Sequence, residues 1–174
     1  MEVFSKNGDV MIFVTVGTHE QSFDRLVGYM DNWAEKHDEK VIIQTGYSTF
    51  EPEHCEWKRS YPYQRMLQMI SESRIVITHG GPSSFIIPLQ SSKIPIVVPR
   101  KKKFHEHIND HQVEFSRQFA QRQGNIIVVE NIDDLGNIIE NYDNIILNMK
   151  NNIVRNNENF CKNLESIVNE LTKK

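Results

Sequence analysis

Cysteine is scarce in this sequence: Cys55 and Cys161 are the only two among 174 residues, far apart and without metal-ligand spacing. A disulfide framework and a cysteine-held zinc are thereby excluded, and both residues read as ordinary thiols of a reducing compartment. Long hydrophobic runs are also missing. The most apolar stretch, residues 75–98, is broken by His79, Gly80, Gly81, Pro82, Pro88 and Pro95, whereas a membrane helix needs ~20 uninterrupted apolar residues. Residues 1–10 lack the apolar core of a signal peptide and read as a polar lead-in. An excess of one charge is absent too: the formal net charge is −3, so a nucleic-acid partner is not expected. No Gly-Lys-Ser/Thr, no dinucleotide fingerprint and no G-x-S-x-G elbow occurs where a glycine-rich turn would need it, which removes Walker-type and α/β-hydrolase readings.

What is present is an alternation of short apolar runs and amphipathic stretches. MIFVTV, from Met11 to Val16, is a continuous apolar run, as expected of a strand buried on both faces. Gly17 and Thr18 end it. Residues 20–37 follow at helical spacing, with Phe23, Leu26, Val27, Met30 and Trp33 on one side. Val41–Gln44 predicts a second buried strand, and 56–61 holds a short third. Residues 63–73 predict a helix with Met66, Leu67 and Ile70 inward. Arg74–Thr78 predicts another strand, Ser83–Ser91 a helix and Ile94–Pro99 a strand. A basic, histidine-rich loop over 100–108, a polar helix over 109–123 and a last strand over Asn125–Val129 come next. Helical stretches over 132–142 and 144–171 finish the chain.

This alternation predicts an α/β fold: a Rossmann-like parallel sheet with helices on both faces. The length suits one such domain. The expected organisation is a lead-in over 1–10, the Rossmann-like domain over 11–142 and a helical segment over 143–174. In such sheets ligands bind outside the carboxyl ends of the strands. The loops 17–22 and 79–84 therefore share a rim.

His79-Gly80-Gly81-Pro82-Ser83-Ser84 is the most informative segment. Two glycines permit close backbone approach, Pro82 suits a first helical turn, and Ser83 and Ser84 add hydroxyls beside backbone N–H groups. That composition describes an anion site at a helix N-terminus, and equally a strand-to-helix turn with a serine cap. Gly17-Thr18-His19-Glu20-Gln21-Ser22 presents Thr18 to a phosphate or sugar, or forms a capping box between Thr18 and Gln21. In HEHINDH, residues 105–111, a helical conformation would place His107 and His111 one turn apart like zinc ligands. His105 and Asp110 do not complete that set, so a polar rim loop is the competing reading and no metal is expected. Arg100-Lys101-Lys102-Lys103 is a solvated basic loop, or one that attracts anionic headgroups or a diphosphate.

Taken in order, VTVGTHEQSFDRL (14–26), Gln44-x-Gly46, ITHGGPSSF (77–85), IPIVVPR (94–100) and EHINDHQ (106–112) resemble the family 28 glycosyltransferase C-terminal domain over residues 11–130. The resemblance is strongest to its short single-domain members. These are the catalytic subunit of the two-protein dolichol-linked N-acetylglucosamine transferase, and the bacterial capsule and exopolysaccharide transferases that work as two-protein pairs. It implies the C-terminal half of a GT-B fold that binds a UDP-sugar, with the folded part opening at Met11. It implies donor contacts at Gly17, Thr18, His79, Gly80, Gly81, Ser83, Ser84, Asp110, His111 and Gln112. The glycine-rich loop would hold the diphosphate and Gln112 would lie near the donor sugar. Larger members place a ribose-binding Glu in the helix after that loop, where this chain has Pro88 and leaves Gln90 as a substitute.

The expected activity is metal-independent transfer of galactose or glucuronic acid from a UDP-sugar to a lipid-linked saccharide, in capsular or exopolysaccharide biosynthesis. The general base is either His19 or a residue of the partner. The expected partner is a membrane-anchored subunit that recruits the chain to the cytoplasmic face of the membrane. The alternative is a non-catalytic accessory subunit that activates a partner glycosyltransferase.

Overall fold

The computed structural model describes residues 10–149; the lead-in before them and the C-terminal segment from residue 150 onward lie outside the described residues. Six parallel strands form one sheet in the order β3-β2-β1-β4-β5-β6. They are β1 (Met11–Thr15), β2 (Lys40–Gln44), β3 (Glu56–Lys58), β4 (Ile75–His79), β5 (Ile96–Val98) and β6 (Ile127–Val128). The helices are α1 (Asp24–Ala34), α2 (Tyr63–Glu72), α3 (Pro82–Gln90), α4 (His111–Gln123) and α5 (Leu135–Glu140), and residues 142–149 are again helical. The strand order reverses between β1 and β4, so the crevice above that pair is the topological switch point.

The continuous apolar runs follow from burial on both faces. On one face Ile12, Val14 and Val16 pack with Leu26, Val27 and Met30 of α1 and with Leu135 and Ile139 of α5. On the other, Met11 and Phe13 meet Met69 and Ile70 of α2. Further along, Phe85 of α3 closes over Val97 with Phe115 and Phe119 of α4 packed beside it. Alternate residues of a strand point to opposite faces, so one run feeds two cores. The expected α/β sheet with helices on both faces is the observed one.

Three local expectations are corrected. Helix α1 begins at Asp24 rather than near residue 20, because the chain from 16 to 22 is held out of helical register by side-chain bonds to its carbonyls, described below. The Thr18–Gln21 capping box accordingly does not form, and Phe23 occupies the cap position without a side-chain bond. Asp24 instead accepts hydrogen bonds from the Thr49 and Phe50 N–H groups and the Thr49 hydroxyl, fastening the loop after β2 to the start of α1. Residues 105–110 are not helical; α4 begins at His111, so His107 and His111 are not a one-turn pair.

Candidate functional site

A cleft of about 490 Å³ opens at the carboxyl ends of β1, β2 and β4. Gly17, Thr18 and His19 form one lip, and His79, Ser83, Ser84 and Ile87 form another. Gln44, Tyr61, Met66 and Ile70 make the far wall. The two sequence segments expected to share a rim therefore meet around one cavity.

His79, the last residue of β4, organises the turn. Its ring is buried between two glycines: a Cβ at Gly17 or at Gly81 would overlap the imidazole. Gly17 also has φ +77°, which costs a side chain strain in addition. The ring's Nδ1 accepts the Gly81 N–H at 3.0 Å, so in the neutral ring Nε2 carries the hydrogen and donates to the Ser84 hydroxyl oxygen at 2.6 Å. Burial, and then the nearby Arg100 charge, push the His79 pKa down to about 4. At neutral pH the ring is uncharged, and this tautomer leaves the Ser84 O–H free to donate towards the cleft.

The glycine N–H groups expected to hold a ligand are occupied internally. Gly80 N–H donates to Gln112 Oε1 at 3.1 Å, and Gly81 N–H to His79. Ser84 N–H bonds the Gly81 carbonyl. At this turn the polar groups left beside the cleft are the hydroxyls of Ser83 and Ser84, at the positive end of the α3 dipole. Pro82 occupies the first turn of α3, where its missing N–H costs nothing.

Gln112 and Arg100 hold the framework. Gln112 is buried, and its Oε1 accepts both the Gly80 N–H and the Arg100 N–H, joining the β4 and β5 loops. Gln112 thus braces the glycine turn and is not among the residues that line the cleft. Arg100 corrects the reading of a solvated basic run: its side chain is fully buried. Its guanidinium donates to the carbonyls of Val16, Gln21, Ser22 and Glu106 and stacks over Phe23. The run's next residue, Lys101, donates from Nζ to the Glu130 carbonyl. Glu106, also buried, binds Arg25 with both oxygens and accepts from the Lys101 N–H. Sequence reading missed Arg100 and Glu106 as site-building residues. The only signal was position, directly after a buried strand where a solvated charge would be out of place.

His19 lies at the lip and packs against His107, ring centroids 4.8 Å apart. Burial lowers its pKa first, then Arg100 and His107, with Glu20 opposing. Its Nδ1 accepts the Gln21 N–H at 3.2 Å, so the neutral ring presents Nε2–H as a donor. Asp110 and His111 are exposed and lie outside the cleft wall: Asp110 accepts from the Lys102 N–H, and His111 stacks near Phe115. Pro88 is buried in α3, and it is Ile87, one turn on from Ser83, that faces the cleft. A ribose-binding side chain in this helix would therefore project from position 87 rather than 88, and Gln90 does not line the cavity either. Among the described residues, no three His, Cys, Asp or Glu side chains group so as to hold a metal ion.

The sequence matches the description "Glycosyltransferase family 28 C-terminal domain" over residues 11–171. The chain belongs to this family. Its relatives of known structure support the same fold. This family 28 domain is similar to the glycosyltransferase SnogD from Streptomyces nogalater, with 16% identity and a TM-score of 0.51 over 71% of this chain and 32% of that one. It is similar also to a kitacinnamycin glycotransferase, with 15% identity and a TM-score of 0.56 over 88% of this chain and 43% of that one. The family 28 chain thus spans less than half the length of either, corresponding to the C-terminal half of a GT-B enzyme. No curated protein matches it in sequence. Among the described residues, no helix is long and apolar enough to cross a membrane.

Proposed function

We propose that this chain is the donor-binding, catalytic subunit of a two-protein glycosyltransferase that transfers a hexose, galactose or glucuronic acid, from a UDP-sugar to a lipid-linked saccharide in capsular or exopolysaccharide assembly. The observation that carries the reading is the cleft: a helix N-terminus with two hydroxyl donors at one end and an apolar, aromatic wall at the other. The diphosphate lies over Ser83 and Ser84, and the nucleoside runs along the cleft towards Tyr61 and Met66.

The difficult step is departure of UDP from the anomeric carbon, with negative charge growing on the diphosphate. The α3 dipole and the two hydroxyls oppose that charge as fixed donors, which need no reorganisation during reaction. Such a route does not call on a metal. The acceptor hydroxyl must lose its proton to a general base. His19 presents Nε2–H, which suits a donor to a ligand oxygen better than a base, so the base is assigned to the partner. A cleft that encloses both substrates needs a second Rossmann-like half; in this reading a membrane-anchored subunit at the cytoplasmic face supplies it.

The test is calorimetric titration of the full chain with UDP in excess chelator, followed by turnover of UDP-galactose and UDP-glucuronic acid with the partner added. Saturable UDP binding that falls when Ser83 and Ser84 are both changed to Ala, together with lost turnover, is the expected result. Full turnover by that double variant in an intact complex would make the chain an accessory subunit.

A further inference from the structure

In the loop between β5 and α4, charge lies inside and apolar side chains lie outside. Arg100 and Glu106 are buried, whereas Phe104 is 46% exposed and Ile108 72%. Lys102 and Lys103 are exposed beside them. This exposure is built in. The Lys101 carbonyl accepts the Phe104 and Glu106 N–H groups, the Lys102 carbonyl accepts the His105 N–H, and the Asp110 carboxylate accepts the Lys102 N–H. Glu106 binds Arg25 with both oxygens. The Phe104 ring has the Arg25 guanidinium 4.9 Å and the Lys103 ammonium 4.6 Å from its centroid. The backbone is thus fastened while two apolar side chains and two lysines stay in solvent.

The loop stands beside the cleft. His107, the neighbour of Ile108, packs against His19 at the lip, ring centroids 4.8 Å apart. A saccharide carried on a lipid must reach the cleft while its lipid stays in the bilayer, so a membrane contact at this lip shortens its path.

Among the exposed charges of the loop, Lys102 and Lys103 outweigh Asp110. The whole chain carries a formal −3, so attraction to an anionic surface has to come from a local patch of this kind. Protein interfaces are depleted in lysine and bury about 800 Å² on each side, far more than two apolar side chains provide. A bilayer surface suits the pattern better. Lysine keeps its ammonium among the headgroups while its stem and the apolar side chains beside it enter the acyl boundary. Going beyond the function proposed above but resting on its lipid-linked acceptor, we propose that residues 102–108 are a membrane-docking loop. Lys102 and Lys103 meet anionic headgroups, and Phe104 and Ile108 enter the interface. Such a contact is reversible by itself and adds to the anchor of a partner subunit.

The experiment sediments the full chain with excess vesicles of phosphatidylcholine, and of phosphatidylcholine mixed equally with phosphatidylglycerol, at ~0.1 M and ~1 M salt. The wild type should bind the mixed vesicles, and less well at the higher salt. Each lysine is expected to contribute about fivefold, so Lys102→Gln with Lys103→Gln should weaken binding about thirtyfold. Phe104→Ser with Ile108→Ser should weaken it at least about tenfold at either salt. Ile108→Ser alone, a change at a side chain already in solvent, should show part of that loss and keeps the test valid where loss of Phe104 perturbs Arg25. UDP affinity should be unchanged in every variant, since none of these residues lines the cleft. Equal binding of the wild type to both kinds of vesicle, or binding to neither, would overturn the docking loop. So would mixed-vesicle binding that all the variants retain, or sedimentation that appears only with the partner subunit in the vesicles. Failure of the donor reading is seen separately, as absence of UDP binding by the wild type whatever the vesicles show.

Discussion

The two ends of the cleft are built on opposite plans. At the β4–α3 turn almost every polar group is already engaged: Gly80 with Gln112, Gly81 with His79, and Ser84 with both the Gly81 carbonyl and His79. At the β2–β3 end, the carboxamide oxygen of Gln44 and the hydroxyl of Tyr61 are buried and find no hydrogen-bond partner among the described residues. The first plan yields a turn whose shape is fixed before any ligand arrives, which is what a diphosphate needs from its donors. The second presents a largely apolar wall, Met66, Ile70 and Ile87 beside Tyr61, which selects a ligand by shape and apolarity. Rigidity and selectivity are thus separated along one cavity.

The sharpest way to break the fixed end is through Arg100, the buried cation beneath it. Arg100→Met deprives the carbonyls of Val16, Gln21, Ser22 and Glu106 of their donor. With ~1–3 kcal/mol for each buried group left unsatisfied and partial relaxation of the loop, the loss of stability should be about 4 kcal/mol. Urea denaturation measures it. Arg100→Lys keeps the charge but not the planar fork, and should recover no more than about half of that loss.

Next in size is a pH effect from His79. Its pKa is about 4 in the folded chain against 6.5 for the free side chain. Between those values the unfolded chain binds the extra proton, so stability rises with pH across this window and is lost as pH falls from 6.5 to 4. At ~1.36 kcal/mol per unit the difference amounts to about 3 kcal/mol. Denaturation midpoints at pH 7.5 and 4.5 for wild type and His79→Gln should differ in slope by most of that amount. A parallel pH dependence would show that the ring is not locked between Gly17 and Gly81.

Much of this was legible in the residues themselves. MIFVTV and RIVIT announced strands buried on both faces, and the ordered segments led to the family and to the shared rim of loops 17–22 and 79–84. What stayed hidden were the side-chain-to-backbone bonds over long separations. Arg100 reaches back to Gln21 and Gln112 to Gly80, and no local spacing signals such pairings. The same bonds explain the misread start of α1: Thr18 and Gln21 have a capping-box spacing, but a buried guanidinium claims the Gln21 and Ser22 carbonyls first. Gln44 was visible only as part of a short motif, because its burial at the end of β2 beside the cleft is a property of three-dimensional surroundings.

Gly17→Ala tests the junction between the two plans. The backbone at φ +77° and the His79 ring both resist a Cβ, and the strain should cost about 2 kcal/mol. Because the ring would be pushed from Ser84, UDP affinity should fall as well, and titration of the folded variant measures that loss separately.

The smallest effect distinguishes two serines that look alike in sequence. Ser83→Ala removes a hydroxyl that lines the cleft and should weaken UDP binding about fivefold, by ~1 kcal/mol, without changing stability. Ser84→Ala should weaken UDP to a similar extent and also destabilise the chain by about 1 kcal/mol, since the buried His79 Nε2–H loses its acceptor. The pair is measured by calorimetry and urea denaturation together. Loss of stability in both variants, or in neither, would mean that Ser84 does not couple the histidine to the ligand, and that the fixed end of the cleft is held by Gln112 and Arg100 alone.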